Sequence, residues 1–158
     1  MYDRPETLLE ALNHGDVRKV CRCLKAGQDL NQLVFSTDWG TNMPLLLWII
    51  DKKKKTSFMT LLAFKKHIDI NSNCTLGAYG RSYNASIFCD DVFSWHLLIQ
   101  SGIDLTYKDS FGDRAIDELH IQETPEVVLM LLSAGSPPPK RLIWGKERVK
   151  QVIQGWID

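Results

Sequence analysis

The sequence predicts an all-α fold, a solenoid of stacked helix-turn-helix repeats, and three observations predict it. Similar short segments recur along the chain at intervals typical of helical repeat proteins. Apolar residues fall at helical spacing before most of these segments. A glycine follows several of the helical stretches, where a helix needs a left-handed residue to end. Because one helix pair cannot bury both of its faces alone, the pairs are expected to stack.

The recurring segment joins apolar residues and a turn residue to the pattern x-Asp-aliphatic-Asn/Thr. It occurs as LKAGQDLN ending at Asn31, as FKKHIDIN ending at Asn71 and as IQSGIDLT ending at Thr106. The two intervals between these ends are 40 and 35 residues. A fourth segment, LLSAG, keeps the apolar residues and the glycine, which lies 33 residues after the glycine of the third segment, but it lacks the aspartate.

The turn that follows each helix has a predicted chemistry. Positive φ is expected at the glycines, Gly27, Gly102 and Gly135. An aspartate in the turn can accept hydrogen bonds from nearby backbone amides, and the three candidates are Asp29, Asp69 and Asp104. The aliphatic residue after each aspartate is then expected to pack beneath the helices.

The predicted helices come in pairs, a shorter one before a longer one. The shorter helices are expected at residues 6–13, 44–51, 82–88 and 114–120, and longer ones at 16–26, 91–100 and 124–133. In the first longer helix, Val17, Val20, Cys21 and Leu24 recur at the spacing of one amphipathic face. Asp16 is expected to cap that helix.

Residues 7–31, TLLEALNHGDVRKVCRCLKAGQDLN, resemble an ankyrin repeat. Residues 111–119 resemble the start of a later repeat, and residues 43–45 resemble the Thr-Pro-Leu turn of another. The resemblance covers residues 5–139 and implies an ankyrin-type solenoid that forms a single domain over residues 1–158. Its repeats are expected at 5–37, 38–76, 77–108 and 109–139. A C-terminal helix at 145–157 is expected to cap the stack, and a degradation-linked tail such as a SOCS box is the alternative.

The sequence departs from the family pattern in its middle repeats. The second repeat is longer around residues 52–55, and His67 occupies the position where the family has glycine. The third repeat lacks the Thr-Pro-Leu-His turn. The run of four lysines at 52–55 is interpreted either as a solvated loop or as a patch that steers an acidic partner.

In ankyrin-repeat proteins the partner is usually held on the concave side, by the inter-repeat fingers and the exposed end of the first helix of each pair. Carried over to this sequence, the resemblance implies a protein-binding site with ten candidate residues, Asn13, His14, Asp38, Trp39, Asn42, Asp51, Tyr79, Arg81, Phe111 and Asp113. Within the first finger, Phe35 and Trp39 are interpreted either as interface anchors or as residues that pack against a neighbouring repeat.

The charge balance and the length of the apolar runs argue against two classes of partner, nucleic acid and membrane. The chain has 19 Lys+Arg and 19 Asp+Glu and therefore no formal net charge, whereas nucleic-acid binders normally carry a basic excess. The longest apolar run, residues 43–50, is far shorter than the roughly 20 residues of a membrane span. The first residues lack the pattern of a secretory signal. We therefore expect a cytoplasmic protein with reduced core cysteines that binds neither nucleic acid nor membrane.

The sequence contains no recognisable catalytic constellation. Cys21 and Cys23 point about 200° apart on a helix and cannot easily share a zinc ion. No histidine has an evident nucleophile or orienting acid beside it. We therefore expect no catalytic residue, no metal and no cofactor.

These observations favour a non-catalytic protein–protein interaction module that is monomeric or part of a heterocomplex. The leading hypothesis is an inhibitor or immunity-type protein, and the alternative is a host-directed effector or an adaptor. An enzyme and a structural protomer of a homo-oligomer are the competing classes. A neutralising protein is expected to bind with nanomolar affinity or better, whereas an adaptor can bind with micromolar affinity.

Overall fold

The computed structural model describes residues 7–76, 81–84, 89, 91–141 and 147–157. The chain divides into two compact units, Met1–Asn73 and Cys74–Asp158, and each is described by itself. The first contains, in order, α1 (Leu8–Asn13), α2 (Val17–Lys25), β1 (Leu33–Ser36), β2 (Thr41–Pro44), α3 (Leu45–Asp51), α4 (Lys55–Leu62) and a 3-10 turn at Lys65–His67. The second contains most of β3 (Asn73–Leu76), then β4 (Arg81–Asn84), α5 (Val92–Gln100), a 3-10 turn at Ala115–Asp117, α6 (Leu119–Gln122), α7 (Pro125–Ser133) and α8 (Glu147–Ile157).

The predicted all-α solenoid is wrong, because the chain combines helices with β-strands and has a mixed α/β structure. β1 pairs with β2 in one antiparallel two-stranded sheet, and β3 pairs with β4 in another. β1 and β3 share one burial pattern along four residues: exposed, half-buried, exposed, buried. This alternation is the period of a strand. Four residues among polar neighbours were too few to show that period in the sequence.

The helix predicted at 82–88 is also wrong where the structure describes it. Residues 82–84 belong to β4, which begins at Arg81. The side chain of Asn84 is fully buried. Residues 85–88 lie outside the described residues. The aromatic and apolar content of this segment was assigned to a helix, although the same residue types favour strands.

In the first unit, α1 packs against α2 and α4, and α3 packs against α4 and the hairpin strands. Its core consists of side chains with no exposed surface, Leu12, Val20, Met43, Leu45, Leu47, Ile49 and Leu61. Thr7 begins α1 with a reciprocal capping box to Glu10. Asp16 caps α2, as predicted, by accepting a hydrogen bond from the amide of Lys19 over 3.0 Å.

In the second unit, α5 packs on α7, and α7 packs on α8. Trp95 of α5 is fully buried, and its Nε1 donates to the carbonyl of Cys89 over 3.0 Å. Four apolar residues of α7 are buried, namely Val127, Val128, Leu131 and Leu132. Proline occupies the first turn of α7, where its missing N–H costs nothing.

The predicted turn chemistry is confirmed. Gly27 and Gly102 both have φ of +87°, and Gly135 has φ of +96°. Asp29 accepts a hydrogen bond from the amide of Asn31 over 2.9 Å. The other two aspartates do the same for the amides two residues on, Asp69 for Asn71 and Asp104 for Thr106. The hydroxyl of Thr106 also bonds to Asp104, and these bonds lower the pKa of that carboxyl.

The predicted apolar face of α2 is only partly correct. Val20 and Cys23 are buried, but Val17 and Cys21 are exposed. α5 buries the corresponding row, Trp95 and Leu98. The buried row therefore follows an i, i+3 spacing and is narrower than the stripe that the sequence suggested.

Candidate binding surface

The turn of the first hairpin, residues 37–40, is fastened to the end of α3. Trp39 donates a long hydrogen bond of 3.4 Å from Nε1 to Oδ1 of Asp51. Asp38 forms an ion pair with Lys52, and its hydrogen bond raises the pKa of the lysine, whereas desolvation lowers it. Three of the predicted site residues, Asp38, Trp39 and Asp51, are therefore brought together.

The first hairpin exposes three large apolar side chains, two on β1 and one in its turn. Leu33 is 63% exposed, Phe35 is 58% exposed and Trp39 is 40% exposed. Asn42, a predicted site residue, lies directly opposite Phe35 in the strand register and is exposed. The exposure of Phe35 rules out that its ring packs down into the core. Sequence reasoning missed Leu33, although its alternation with Phe35 two residues later was the available signal.

The other face of the hairpin is buried. Ser36 and Met43 have no exposed surface. Because successive side chains of a strand point to opposite faces, burial of this side directs Leu33 and Phe35 outward. The fixed backbone therefore presents these two apolar residues in a defined orientation.

Asn13 and His14 lie at the end of α1. The amide oxygen of Asn13 accepts a hydrogen bond from the hydroxyl of Ser57 over 3.0 Å. The Nδ1 of His14 lies 2.8 Å from the carbonyl oxygen of Glu10. Within the described part of the chain, no hydrogen bond or ion pair joins these two predicted residues to the first hairpin.

A tight turn at residues 109–113 presents Phe111 in the second unit. Asp109 is buried, and its Oδ1 accepts hydrogen bonds from the amides of Phe111 and Asp113, both over 2.9 Å. Phe111 is 60% exposed. Gly112 takes a φ of +78°, which favours glycine, and its carbonyl accepts a hydrogen bond from Lys140. The predicted residues Phe111 and Asp113 thus belong to one turn.

A buried ion pair between Arg114 and Asp117 supports this turn. The guanidinium Nε lies 3.1 Å from Oδ2 of Asp117, and its Nη2 donates to the carbonyl of Pro138 over 2.9 Å. Oδ1 of Asp117 also accepts from the amide of Lys140 over 2.8 Å. Burial raises the pKa of Asp117, but the hydrogen bonds from Arg114 and from the Lys140 amide outweigh it and hold the pKa below its ordinary value.

Of the two remaining predicted site residues, the structure describes only the backbone of one, Arg81. Tyr79 lies outside the described residues. Arg81 begins β4, but its side chain is not among those described. Their predicted contact role therefore stays a prediction.

The lysine run at 52–55 is not simply a loop. Lys52 caps the end of α3, and Lys55 is the first residue of α4. Lys53 takes a positive φ of 53°. The ammonium of Lys54 lies 5.7 Å from the ring centroid of Trp48, within the range of a cation–π interaction.

The described residues do not assemble a metal site. Within them, no group of three or more His, Cys, Asp or Glu side chains is placed to hold a metal ion. The four cysteines are free thiols, of which Cys23 and Cys89 are buried and Cys21 is exposed. The first unit has a groove of about 510 Å³ between α2 and the 3-10 turn, with Cys21, Leu24, Phe64 and His67 among its lining residues.

No protein-family model matches the chain, and no curated protein matches its sequence. Across the part of the chain that the structure describes, every helix is too short or too polar to cross a bilayer.

Proposed function

We propose that this chain is a non-catalytic protein-binding module. We further propose that it binds a partner protein through Leu33, Phe35, Trp39 and Asn42, which together we call the hairpin face. The observation that carries the proposal is that one hairpin, residues 33–44, exposes three large apolar side chains by 40% or more. Large apolar residues in contiguous exposed patches are typical of interaction sites.

The hairpin face has the composition of an interface centre. Aromatic side chains dominate the residues whose truncation weakens protein complexes most. Burying the exposed parts of Leu33, Phe35 and Trp39 would contribute about 1–2 kcal/mol for each side chain. Asn42, opposite Phe35, supplies a polar group beside this apolar surface.

Two residues of the hairpin turn are bonded to the end of α3 before a partner arrives. The Trp39 indole is tied to Asp51, and the neighbouring Asp38 is tied to Lys52. An ordered side chain loses less conformational entropy on binding, so more of its contact energy appears as affinity. Phe111 is proposed as a second contact residue, because it is 60% exposed on a turn whose backbone is fixed by Asp109.

Within this class we propose an inhibitor or immunity-type protein that acts in the cytoplasm by covering a functional surface of its partner. Exposed aromatic side chains support tight binding, and four cysteines that form no disulfide support a reducing compartment. An inhibitor is expected to bind with nanomolar affinity and to abolish the partner's activity in a stoichiometric titration. Micromolar affinity with the partner's activity intact would instead identify an adaptor.

The proposal is tested by affinity capture from a native extract, followed by titration of the isolated partner. Phe35→Ala and Trp39→Ala are each expected to weaken binding at least about tenfold, the effect of 1.4 kcal/mol. Met59→Ala is a matched control, because Met59 is 53% exposed but lies on α4. It should leave the affinity unchanged.

Thermal unfolding of the same variants separates binding from folding. Exposed substitutions usually change stability by less than about 0.5 kcal/mol, so all three variants should keep the parent's melting temperature within a few degrees. If Phe35→Ala and Trp39→Ala both bind as the parent does, the hairpin face is not the binding surface.

A further inference from the structure

The outer edge of β1 carries backbone groups that no described residue pairs. The amide of Leu45 donates to the carbonyl of Gln32 over 3.0 Å, which fixes the phase of the β1–β2 ladder. Hydrogen-bonded and non-hydrogen-bonded pairs alternate in an antiparallel ladder. With Leu33 opposite Pro44, the N–H and C=O of Val34 therefore point to β2. Those of Leu33 and Phe35 point away from it.

The outer edge of β2 offers fewer hydrogen-bonding groups than that of β1. Asn42 has an outward N–H and C=O by the same alternation, but Pro44 has no N–H to donate. Proline is one of the residues that protect sheet edges from pairing with another strand. β1 has no such protection, since residues 31–37 contain neither proline nor a charged side chain.

We propose that β1 is the docking edge for an extended segment of the partner protein, which adds a third strand beside it. This inference rests on the proposed function and specifies how the hairpin face recognises its partner. The added strand pairs its backbone with the N–H and C=O of Leu33 and Phe35. Its side chains at alternate positions pack beside the two exposed apolar side chains of β1.

The backbone N–H and C=O groups at the outer edge of β1 favour an extended segment as the binding partner. Leu33 and Phe35 each present one donor and one acceptor, and an extended backbone is the complement that fills both at this spacing. The same two residues expose their side chains on one face of the hairpin. A partner segment with apolar residues at every second position therefore matches the edge and the face together. The short strand limits pairing to two residues, so its side chains must add affinity and specificity.

The edge is tested with a synthetic peptide of alternating threonine and valine, titrated into the full chain and followed by amide NMR. The amides of Leu33 and Phe35 are expected to shift and to become protected from hydrogen exchange, whereas those of Val34 and Ser36 should change little. At nine-tenths occupancy their exchange should slow about tenfold, because only the free tenth of the molecules exchanges. The same peptide methylated at every backbone nitrogen is the control and should not bind.

Two results with this peptide would overturn the inference. One is the absence of any change at the amides of Leu33 and Phe35 at millimolar peptide. The other is equal binding by the methylated peptide, because it cannot donate backbone hydrogen bonds.

A pair of substitutions tests the backbone contribution with the captured partner. Phe35→Ala and Phe35→Pro both remove the ring, but only the proline removes the outward N–H. The proline leaves the ladder to β2 intact, because the amide of Phe35 is not part of it. Phe35→Pro is expected to weaken binding about five- to tenfold more than Phe35→Ala, at a similar melting temperature.

This design separates the two proposals. If both substitutions weaken binding equally, the hairpin face still binds the partner, but the edge inference fails. If neither substitution weakens binding, the proposed surface fails as well. Sedimentation of the chain alone addresses a second copy as the occupant: a dimer that dissociates on Phe35→Pro would overturn the assignment to a partner protein.

Discussion

Replacing Asp117 by alanine removes the carboxylate at the centre of the polar network in the second unit. Asp117 is 4% exposed, and Arg114, its ion-pair partner, is 7% exposed. The carboxylate accepts hydrogen bonds from the Arg114 amide and guanidinium and from the amide of Lys140. Without it, the guanidinium keeps its hydrogen bond to the carbonyl of Pro138 but loses its counter-charge.

The magnitude follows from what remains buried. Removing one member of a buried ion pair costs about 3–5 kcal/mol, because it leaves an uncompensated charge. Asp117→Asn keeps the shape and an acceptor oxygen but not the charge, so it should cost about 1.5–3 kcal/mol. The double substitution Arg114→Met with Asp117→Met removes both charges and should cost less than Asp117→Ala alone.

Urea unfolding at pH 7, followed by circular dichroism and tryptophan fluorescence, measures these costs. With a slope of about 1–3 kcal/mol per molar urea, a loss of 3 kcal/mol lowers the unfolding midpoint by about 1–3 M. A lowered midpoint at constant slope is the expected result for Asp117→Ala. A cost below about 1 kcal/mol for Asp117→Ala would refute the reasoning, as would a double variant less stable than Asp117→Ala.

Three further predictions concern the pH dependence of the Asp117 ion pair, the backbone conformation at Gly27 and the buried Trp95. Because the folded-state pKa of Asp117 is lowered, its stabilising effect is full above the unfolded pKa of about 3.9 and is lost as the pH falls through the folded pKa. In urea unfolding, the stability difference between the parent and Asp117→Asn should therefore shrink below pH 4, and a constant difference would contradict the assigned ion pair. Gly27→Ala should cost about 1–2 kcal/mol, because φ is +87° although no atom lies within 4 Å of the added methyl group. Gly155→Ala in α8 is the matched control, because the added methyl group also has no atom within 4 Å and φ is not positive there. It should stabilise the protein by up to about 1 kcal/mol. Equal effects of the two alanine substitutions in urea unfolding would contradict the assigned backbone conformations. Trp95→Phe should cost about 1–3 kcal/mol, because it removes the buried hydrogen bond from the indole to the carbonyl of Cys89. Calorimetry should show a lower melting temperature, and an unchanged temperature would argue against that hydrogen bond.

The helices were predictable in part, where their signals are local. The helix expected at 114–120 is a 3-10 turn followed by the short α6, and α4 was not among the predicted helices. Glycines at the helix ends and aspartates in the turns act within two or three residues of their own position, as Gly102 and Asp104 show. α7 has a proline in its first turn and an apolar row that is buried as expected. Such signals depend on the backbone more than on distant packing.

The strands were not predictable in the same way. β1 has only four residues, and it pairs with β2 across a turn of four more residues. Its period became visible only through the burial of Ser36 and Met43, which depends on tertiary packing. The same cause explains α2, where Val17 has the right spacing but is 47% exposed.

The candidate site was predicted in part. The resemblance to ankyrin repeats nominated Asp38, Trp39 and Asp51 from distant positions, and the structure joins them through hydrogen bonds and an ion pair with Lys52. The resemblance did not point to Leu33. A family pattern indicates which positions usually contact a partner, but it does not show that the side chain of Leu33 is exposed in this chain. Whether these residues contact a partner stays a prediction.

In the turn around Phe111, one residue, Asp109, fixes the backbone, and another, Phe111, lies at the tip. Asp109 fixes the backbone with its own carboxylate, and the ring of Phe111 has no part in those bonds. The hydrogen bonds that fix this turn therefore place no requirement on the side chain at position 111. Under the proposed function, substitutions at position 111 would change a contact residue and leave the hydrogen bonds of Asp109 in place.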